Sequence, residues 1–334
     1  MIAPLPYCLY PTTIVVIDDN QAFTKSLCLS LSNKNPTVAH HNPKAALDFL
    51  LQQPQAKTFL DYCLLQSTTA LNNTPEVHIE IAKIYQEAFR RERFQQISIV
   101  IADYTMPGMN GVELARDLKD KNYKKIMLTG EADHNIAVQA FNEGIIDQFI
   151  MKGAPNMINV LEKSIWDMQY QYFQDLSLIV TKTLINTGFQ VPSHLLDSGF
   201  GNFFCNFMLE NKIVEFYVAN KQGDFLLIDS KGKVSWLTVR ETKAMQQLSK
   251  LALNEHDQEP SEESELIVNS IQSQQQIPFF YPEMEQPEIY EWQAYLHPST
   301  QLQAATNTYY YAHIQDHQHQ PQKFENIISF SITN

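Results

Sequence analysis

The segment Ile101-Ala-Asp-Tyr-Thr-Met-Pro-Gly-Met-Asn-Gly111 places a carboxylate, Asp103, where an apolar strand gives way to a turn rich in proline and glycine. The preceding run Ile97-Ser-Ile-Val-Ile-Ala102 is almost continuously apolar, which predicts a central parallel strand buried on both faces. Side chains at the carboxyl end of such a strand face the crevice in which α/β folds bind their ligands. We therefore expect Asp103 at the mouth of a sheet.

The composition predicts a globular, cytoplasmic protein of two or three domains. The chain has 334 residues, of which 44% are apolar and 11% aromatic, so it can bury sizeable cores. It contains no run of about 18 apolar residues, and its start, Met1-Ile-Ala-Pro-Leu-Pro-Tyr, does not resemble a signal peptide. The cysteines have no CxxC or disulfide-framework spacing, which predicts a packing role in a reducing compartment; they are Cys8, Cys28, Cys63 and Cys205.

Strands and helices alternate from Thr13 to about Ala154, and this alternation predicts a doubly wound parallel α/β sheet. A stretch of extra residues, about 54–96, interrupts the alternation. Within it an apolar stripe beside charged residues predicts a helix over about 75–94, packed on the domain edge as an elaborated crossover. Its terminal arginines, Arg90, Arg91 and Arg93, are consistent with a solvated last turn or with docking of a partner.

One long helix is predicted over about 155–187, because apolar residues recur there at spacings near 3.5. The row begins Ile158, Leu161, Ile165, Met168, and we refer to these four residues as the seam. A seam of this kind suits a partner helix in a dimer, and it equally suits packing of the helix on its own domain. The sequence is compatible with both dimerisation and packing within one chain.

The remaining residues, 188–334, predict an α+β output domain. Three apolar runs between Ile213 and Arg240 are separated by turn sequences, which indicates an antiparallel meander. A helix is predicted over about 241–253, loop or marginal helix over 254–276, and strands over 308–314 and 327–332.

Reactive side chains stand at the predicted carboxyl ends of four parallel strands. Asp18 and Asp19 follow the first strand, Asp103 ends a central one, and Thr129 and Lys152 end the next two. Three carboxylates repel one another unless a hard cation holds them, and Mg²⁺ accepts a few carboxylates together with water and phosphate oxygens. The sequence thus predicts a Mg²⁺ site in which a carboxylate can attack a phosphoryl group.

Residues 13 to about 154 resemble the receiver domain of two-component response regulators, the CheY-like or flavodoxin-like fold. Asp103 lies in the full DxxMPxMxG signature of that family. The resemblance implies autocatalysed phosphoryl transfer to this residue from a sensor histidine kinase. It also implies the roles of the other residues: an acidic, metal-binding pair in Asp18 and Asp19, a ligand in the backbone carbonyl of Thr105, a switch hydroxyl in Thr129, a switch aromatic in Phe149, and a charge-pairing lysine in Lys152.

Two features depart from the family pattern. Asp19 and Asp103 are 84 positions apart, about twice the usual separation, so the stretch 54–96 is additional structure. Gly153 follows Lys152 where proline is common, which puts the usual cis peptide in doubt, because a non-proline cis bond costs about 2.5–4 kcal/mol.

The whole layout has a weaker resemblance to quorum-sensing response regulators of the Lqs type. That resemblance implies control of gene expression in response to a small secreted autoinducer. Residues 190–334 contain 8 Lys+Arg and 18 Asp+Glu, a net charge of −10, and no helix-turn-helix spacing, so direct DNA binding is disfavoured. A nucleotide- or ligand-sensing module, a protein-interaction module and a phosphorylation-controlled enzyme stay open as outputs.

Three further groups of residues in the output domain could have either a structural or a functional role. The histidines His313, His317 and His319 suggest a solvated turn more than a metal site. Glu262, Glu263 and Glu265 suggest a charged surface. The row Tyr309 to Tyr311 suggests a half-buried strand, with ligand stacking as the alternative.

Overall fold

The computed structural model describes residues 4–53, 64–67, 76–79, 81–130, 133–254, 262–285, 287–315 and 320–330. The strands in chain order are β1 (Cys8–Leu9), β2 (Thr13–Ile17), β3 (Thr37–His40), β4 (Leu64–Ser67), β5 (Glu76–Ile79), β6 (Ile97–Asp103), β7 (Lys124–Thr129), β8 (Gln148–Met151), β9 (Ile213–Val218), β10 (Phe225–Asp229), β11 (Val234–Glu241), β12 (Gln276–Pro278), β13 (Leu296–Pro298), β14 (Thr300–Gln303) and β15 (Thr308–Ile314). The α-helices are α1 (Gln21–Leu31), α2 (Pro43–Gln52), α3 (Gly111–Asp117), α4 (His134–Asn142), α5 (Met157–Asn186), α6 (Ser198–Glu210), α7 (Thr242–Asn254) and α8 (Glu262–Gln272).

The chain forms two compact units. The N-terminal unit comprises the described parts of Leu9–Tyr62, Arg90–Leu176 and Phe330–Asn334. The C-terminal unit comprises the described parts of Met1–Cys8, Cys63–Phe89 and Ser177–Ser329. The division falls within α5, whose first 20 residues belong to the N-terminal unit. In the described residues no helix combines the length and apolar character that a membrane span requires.

The N-terminal unit contains a five-stranded parallel sheet in the order β3-β2-β6-β7-β8, which confirms the predicted doubly wound fold. Every residue of β2 and β6 is buried, as the continuous apolar runs require of central strands covered on both faces. Three helices of this unit begin at side-chain caps. Asn20 and Asn42 cap α1 and α2, and Asn110 forms a capping box with Glu113 at α3.

The seam on α5 is part of the core of the N-terminal unit. Leu161, Ile165 and Met168 are at most 4% exposed and share a cluster with strand residues such as Ile14 and Ile126, and Ile158 packs against it. The interpretation of the seam as a dimer contact is therefore wrong, and packing on the helix's own domain is correct. A 3.5-residue apolar period shows that a helix face is covered, and it carries no information on what covers it.

In its described residues, the stretch 54–96 does not form the predicted α-helix over 75–94. Glu76–Ile79 pairs antiparallel with Leu64–Ser67, and two 3-10 segments follow at Ile81–Phe89 and Arg91–Gln95. The alternation Glu-Val-His-Ile over 76–79 suits a strand, whose side chains point alternately to opposite faces. The described part of Cys63–Phe89 groups with the C-terminal unit, so the expectation that it packs on the edge of the parallel sheet is wrong.

The predicted solvated arginine turn is wrong in one of its residues. Arg93 is 3% exposed, lies with its guanidinium carbon 4.0 Å from the centre of the Phe94 ring, and donates to the Arg90 carbonyl at 2.7 Å. Arg91 is exposed. Burial of the guanidinium on an aromatic face is a contact that spacing along one helix does not reveal.

The C-terminal unit contains a six-stranded sheet in the order β1-β9-β10-β11-β15-β14. The meander β9-β10-β11 is antiparallel, and β15 pairs antiparallel with both β11 and β14. Aromatic side chains build its core: Phe200, Phe204, Phe216, Phe225 and Trp236 are fully buried. The α+β architecture and the strand over 308–314 are confirmed. The predicted strand over 327–332 is not formed in its described part, where residues 327–329 have irregular backbone after a 3-10 turn at Gln322–Asn326.

Candidate functional site

The predicted reactive residues lie at the carboxyl edge of the parallel sheet. Asp103 is the last residue of β6, Thr129 the last of β7, and Asp18 and Lys152 immediately follow β2 and β8. The strands β2, β6, β7 and β8 are successive neighbours, and in parallel strands the carboxyl ends meet at one edge. The fold therefore gathers residues that are up to 134 positions apart in the chain.

Three carboxylates form a compact acidic cluster at this edge. Asp18, Asp19 and Asp103 each present an oxygen, and these oxygens lie within 4.8 Å of one another. Asp18 and Asp103 are 1% and 7% exposed, whereas Asp19 is exposed. The carboxylates of Asp18 and Asp103 are thus buried, and that of Asp19 faces solvent. This arrangement leaves room for water and a further ligand on a bound cation.

Lys152 joins two of the three carboxylates. Its Nζ lies 2.7 Å from Asp18 Oδ2 and 2.8 Å from Asp103 Oδ1, and 4.9 Å from the centre of the Phe23 ring. Burial tends to lower the pKa of Lys152, but its hydrogen bonds to Asp103 and Asp18 outweigh burial and the pKa is raised. The lysine is therefore firmly cationic, and it balances one of three negative charges.

Asp103 is held in an environment that disfavours its charge. Burial raises the pKa of the Asp103 carboxyl, the neighbouring charge of Asp18 adds to this effect, and the bonds from Lys152 and the backbone of Thr105 oppose it. The net pKa is above the ordinary value. A carboxylate with excess negative charge around it is stabilised by a bound cation.

The donor set fits Mg²⁺, a cation that the family resemblance implies. Three carboxylate oxygens in reach of one another, with one ammonium to offset them, leave excess negative charge at a site partly open to solvent. Hard oxygen ligands and room for water are what Mg²⁺ selects. Among the described residues this is the one cluster of three or more potential metal-ligating His, Cys, Asp and Glu side chains.

The two predicted switch residues occupy separate places. Thr129 is fully buried and its hydroxyl donates to the Gly130 carbonyl at 2.7 Å. Phe149 is partly buried in a cluster on the other side of β7 and β8, with its ring centre 5.3 Å from that of His134 and 6.2 Å from that of Phe141. The structure thus places the hydroxyl at the carboxyl end of β7, on the same sheet edge as the acidic cluster, and the aromatic ring on a helix-covered face.

Thr105 lies on the loop after β6 and contacts a residue that the sequence did not single out. Its hydroxyl donates to Asp133 Oδ2 at 3.1 Å, and its backbone N–H bonds to Asp103. The peptide bond after Lys152 is trans, as are all the described peptide bonds. The Thr105–Asp133 bond connects the loop after β6 to the one after β7, which no local sequence pattern signals.

Two other supporting residues were missed by the sequence interpretation. The Asn20 N–H donates to Asp18 Oδ1 at 2.8 Å, and His41 Nδ1 lies 3.2 Å from the Asp18 carbonyl. Asn20 could have been found, because an asparagine between an acidic pair and a helix is the pattern of an N-cap. His41 reaches Asp18 from the end of a neighbouring strand, and sequence spacing does not show this contact.

The other groups considered in the sequence have structural roles where they are described. His313 is partly buried and bonds Ser235 Oγ at 3.0 Å, and residues 317 and 319 lie outside the described residues. Tyr309 and Tyr310 are buried and Tyr311 is half-buried, as expected of a strand. Of the glutamates, Glu265 is exposed, and the side chains of residues 262 and 263 lie outside the described part.

Comparison with known proteins places the chain in a family. Residues 61–162 match the response regulator receiver domain model, a range that includes Asp103, Thr129 and Lys152 and leaves out the acidic pair. The response regulator LqsR of Legionella pneumophila is 30% identical, with a TM-score of 0.78 over 99% of this chain and 95% of that one. No curated protein matches in sequence.

Two more structures match over about half of this chain. A response regulator receiver domain protein from Clostridium thermocellum is 17% identical over 50% of this chain and 98% of its own, with a TM-score of 0.33. Full-length FixJ from B. japonicum is 20% identical over 49% and 60%, with a TM-score of 0.34. These scores are too low to carry an argument. On the receiver-domain match and the full-length likeness to LqsR, the chain belongs to the response regulators.

Proposed function

We propose that Asp103 accepts a phosphoryl group from a sensor histidine kinase and that the chain relays this event to its C-terminal domain. The observation that carries the proposal is the placement of Lys152 Nζ between Asp18 and Asp103, at 2.7 and 2.8 Å, beside an acidic cluster at the sheet edge. As functional domains we propose a receiver over 1–154, a linker helix over 155–187 and an output domain over 188–334.

In the transfer, an Asp103 carboxylate oxygen forms a bond to phosphorus as the P–N bond of the phosphohistidine breaks, and the electron pair of that bond returns to the imidazole. Asp19, Asp103 and the Thr105 backbone carbonyl would hold Mg²⁺ directly, with Asp18 supporting it through water. When bound, Mg²⁺ screens the negative charge on nucleophile and phosphoryl oxygens. Lys152, already oriented by Asp18, pairs with the charge of the acyl phosphate.

The output would follow from local rearrangement. We propose that the Thr129 hydroxyl leaves the Gly130 carbonyl to bond a phosphoryl oxygen, and that Phe149 turns into the space this opens. Phosphorylation then favours a homodimer, by a surface other than the buried seam. The resemblance of the layout to quorum-sensing response regulators of the Lqs type favours control of gene expression in a quorum-sensing pathway as the outcome, and the 30% identity to LqsR over 99% of the chain supports that resemblance.

Two alternatives concern the output domain. A bound nucleotide or small ligand would make it a sensing module, and a phosphorylation-controlled enzyme is the other candidate. The net charge of −10 over residues 190–334 disfavours direct contact with DNA phosphates. A non-DNA-binding output is therefore the form of the proposal that we favour.

The direct test is loading of the site with beryllofluoride, an acyl-phosphate mimic, in the presence of Mg²⁺. We expect one beryllofluoride per chain, no loading for Asp103→Asn, and normal loading for the matched control Asp117→Asn, whose carboxylate is exposed on α3. Undiminished loading of Asp103→Asn would show that the acceptor is elsewhere.

Sedimentation with and without beryllofluoride tests the proposed dimer. An unchanged mass at micromolar concentrations would contradict dimerisation.

A further inference from the structure

The chain passes from the C-terminal unit into each of the two strands, β2 and β6, that lead to the acidic cluster. The chain leaves that unit at Cys8, and β2, which leads to Asp18 and Asp19, begins five residues later at Thr13. It leaves the unit a second time at Phe89, and β6, which ends at Asp103, begins at Ile97. Each acidic strand therefore has a short covalent connection to the C-terminal unit at its amino end.

The segment before β6 is built into the core of the C-terminal unit. Ile81, Ile84 and Tyr85 of the 3-10 segment are at most 1% exposed. The Tyr85 ring lies 5.9 Å from that of Phe324, and its hydroxyl donates to Glu283, which Lys323 also binds. Tyr85 consequently fixes the chain just upstream of the phosphoacceptor strand to two parts of the output fold.

The segment before β2 is fixed in the same unit. Tyr7 is fully buried, its N–H donates to Ser177 Oγ at 2.8 Å, and its hydroxyl lies 2.8 Å from Thr181 Oγ1. Its carbonyl accepts the Val218 N–H at 2.7 Å, which adds this segment to the output sheet. Segments that precede or interrupt the receiver fold thus complete the fold of the C-terminal unit.

An irregularity lies at the amino ends of β2 and β6, within the N-terminal unit. Thr13 pairs with Ile97 and Ile14 pairs with Ile99, so Ser98 is an extra residue in β6. Ser98 is fully buried, and its hydroxyl lies 2.5 Å from that of Thr12, which is also fully buried. Bulges are uncommon between parallel strands, and they locally release a strand from its regular pairing.

A buried polar network surrounds this bulge. Gln169 of α5 donates to the Thr12 hydroxyl at 2.8 Å, and Gln96 accepts from Tyr10 and donates to Tyr172, both at 2.7 Å. Each of these side chains is at most 6% exposed. We call this set the strand-root network; it consists of Tyr10, Thr12, Gln96, Ser98, Gln169 and Tyr172.

We propose that the strand-root network transmits the state of the Asp103 site to the C-terminal unit, by coupling the amino ends of β2 and β6 to the segments at residues 4–8 and 81–89. This inference rests on the proposed role of Asp103. A buried hydrogen-bonded network has discrete arrangements, because a bond broken there must be replaced. A small shift of β6 at the loaded site therefore changes which side chains are hydrogen-bonded to one another at the bulge. Close packing leaves no room for the shift to be taken up gradually.

The test is hydrogen exchange of the full chain with and without Mg²⁺ and beryllofluoride. In the wild type, we expect loading to change the exchange rate of amides in 81–89 and 213–218 by at least about twofold. Thr12→Val is nearly isosteric and removes the hydroxyl that Ser98 and Gln169 bind, so the site should load while the response in these segments is lost. Thr12→Ser keeps the hydroxyl and should keep the response.

The outcomes separate this inference from the proposed function. Failure of the wild type to load contradicts the phosphoacceptor role and this inference together. Loading with unchanged exchange in 81–89 and 213–218 overturns this inference alone, as does a full response in Thr12→Val. If Thr12→Val does not fold, Ser98→Ala, which removes the other hydroxyl of the Thr12–Ser98 bond, takes its place, and a full response in that folded variant overturns the inference.

Discussion

Replacement of Lys152 by methionine is the sharpest test of the electrostatics of the site. The variant keeps an unbranched side chain of similar length and removes the ammonium that, among the described residues, lies within hydrogen-bond distance of both Asp18 and Asp103. Both carboxylates are largely buried, and Asp19 adds a third charge within 4.8 Å. Without the ammonium, the backbone N–H groups of Asn20 and Thr105 still donate to Asp18 and Asp103, but no cationic side chain offsets these charges among the described residues.

The size of the effect follows from the burial of the two ion pairs. Removing one partner of a buried pair costs about 3–5 kcal/mol, because the remaining charge is left unpaired. Asp103 can take up a proton, since its pKa is already raised by burial, and this relief places the expected loss at the lower end, about 3 kcal/mol at pH 7. Mg²⁺ should restore part of it, since a cation bound only by the folded state at 100 times its dissociation constant contributes about 2.7 kcal/mol.

The assay is the free energy of opening of the β6 amides from hydrogen exchange, with EDTA or with Mg²⁺. Lys34→Met is the matched control, because Lys34 pairs with Glu162 at 2.7 Å and is 65% exposed. An exposed pair is worth at most about 1 kcal/mol, and Mg²⁺ should not affect its loss. The reasoning is refuted if Lys152→Met opens in EDTA within 1 kcal/mol of the wild type, roughly the value of an exposed pair. It is also refuted if Mg²⁺ does not raise the opening free energy of the variant.

Three further predictions concern the cores. In urea unfolding, Leu161→Ala should destabilise the N-terminal unit by about 2–5 kcal/mol, and Val160→Ala, on the exposed face, by about 0.5 kcal/mol or less. Equal effects of the two substitutions would contradict burial of the seam. Burial lowers the pKa of His194 from 6.5 to about 4, so the folded state binds fewer protons than the unfolded state between these values. The contribution of His194 to stability should be fully present above pH 6.5 and fall by about 3 kcal/mol as the pH drops toward 4. In thermal melts at each pH, His194→Gln should show a smaller loss of stability than the wild type, and an equal loss would contradict this assignment. Asp224→Ala should cost about 3–5 kcal/mol by leaving the Arg240 guanidinium, 10% exposed, unpaired; a melting temperature within one degree of the wild type would contradict this.

The parallel sheet and its reactive edge could be predicted because each depends on local pattern. Central strands buried on two faces are apolar along their length. Because the strands are parallel, the polar residues that end them all lie at the same edge of the sheet. Thus Asp18, Asp103 and Lys152 could be placed together from residues far apart in the chain. The meander of the C-terminal unit was predictable for a similar reason, since its turns carry Asn220, Gly223 and Gly232.

Tertiary structure decided what covers each apolar face and which unit each segment joins. The seam at Leu161 and Ile165 has the same periodicity whether a sheet or a second helix covers it, and only the fold shows the sheet. Tyr85 belongs to a segment whose partner, Glu283, is 198 positions away, so no window of sequence contains both. The bulge at Ser98 likewise depends on register between two strands. Sequence thus determined the chemistry at the strand ends, whereas long-range packing, whose partners are not encoded locally, determined how that chemistry is connected to the rest of the chain.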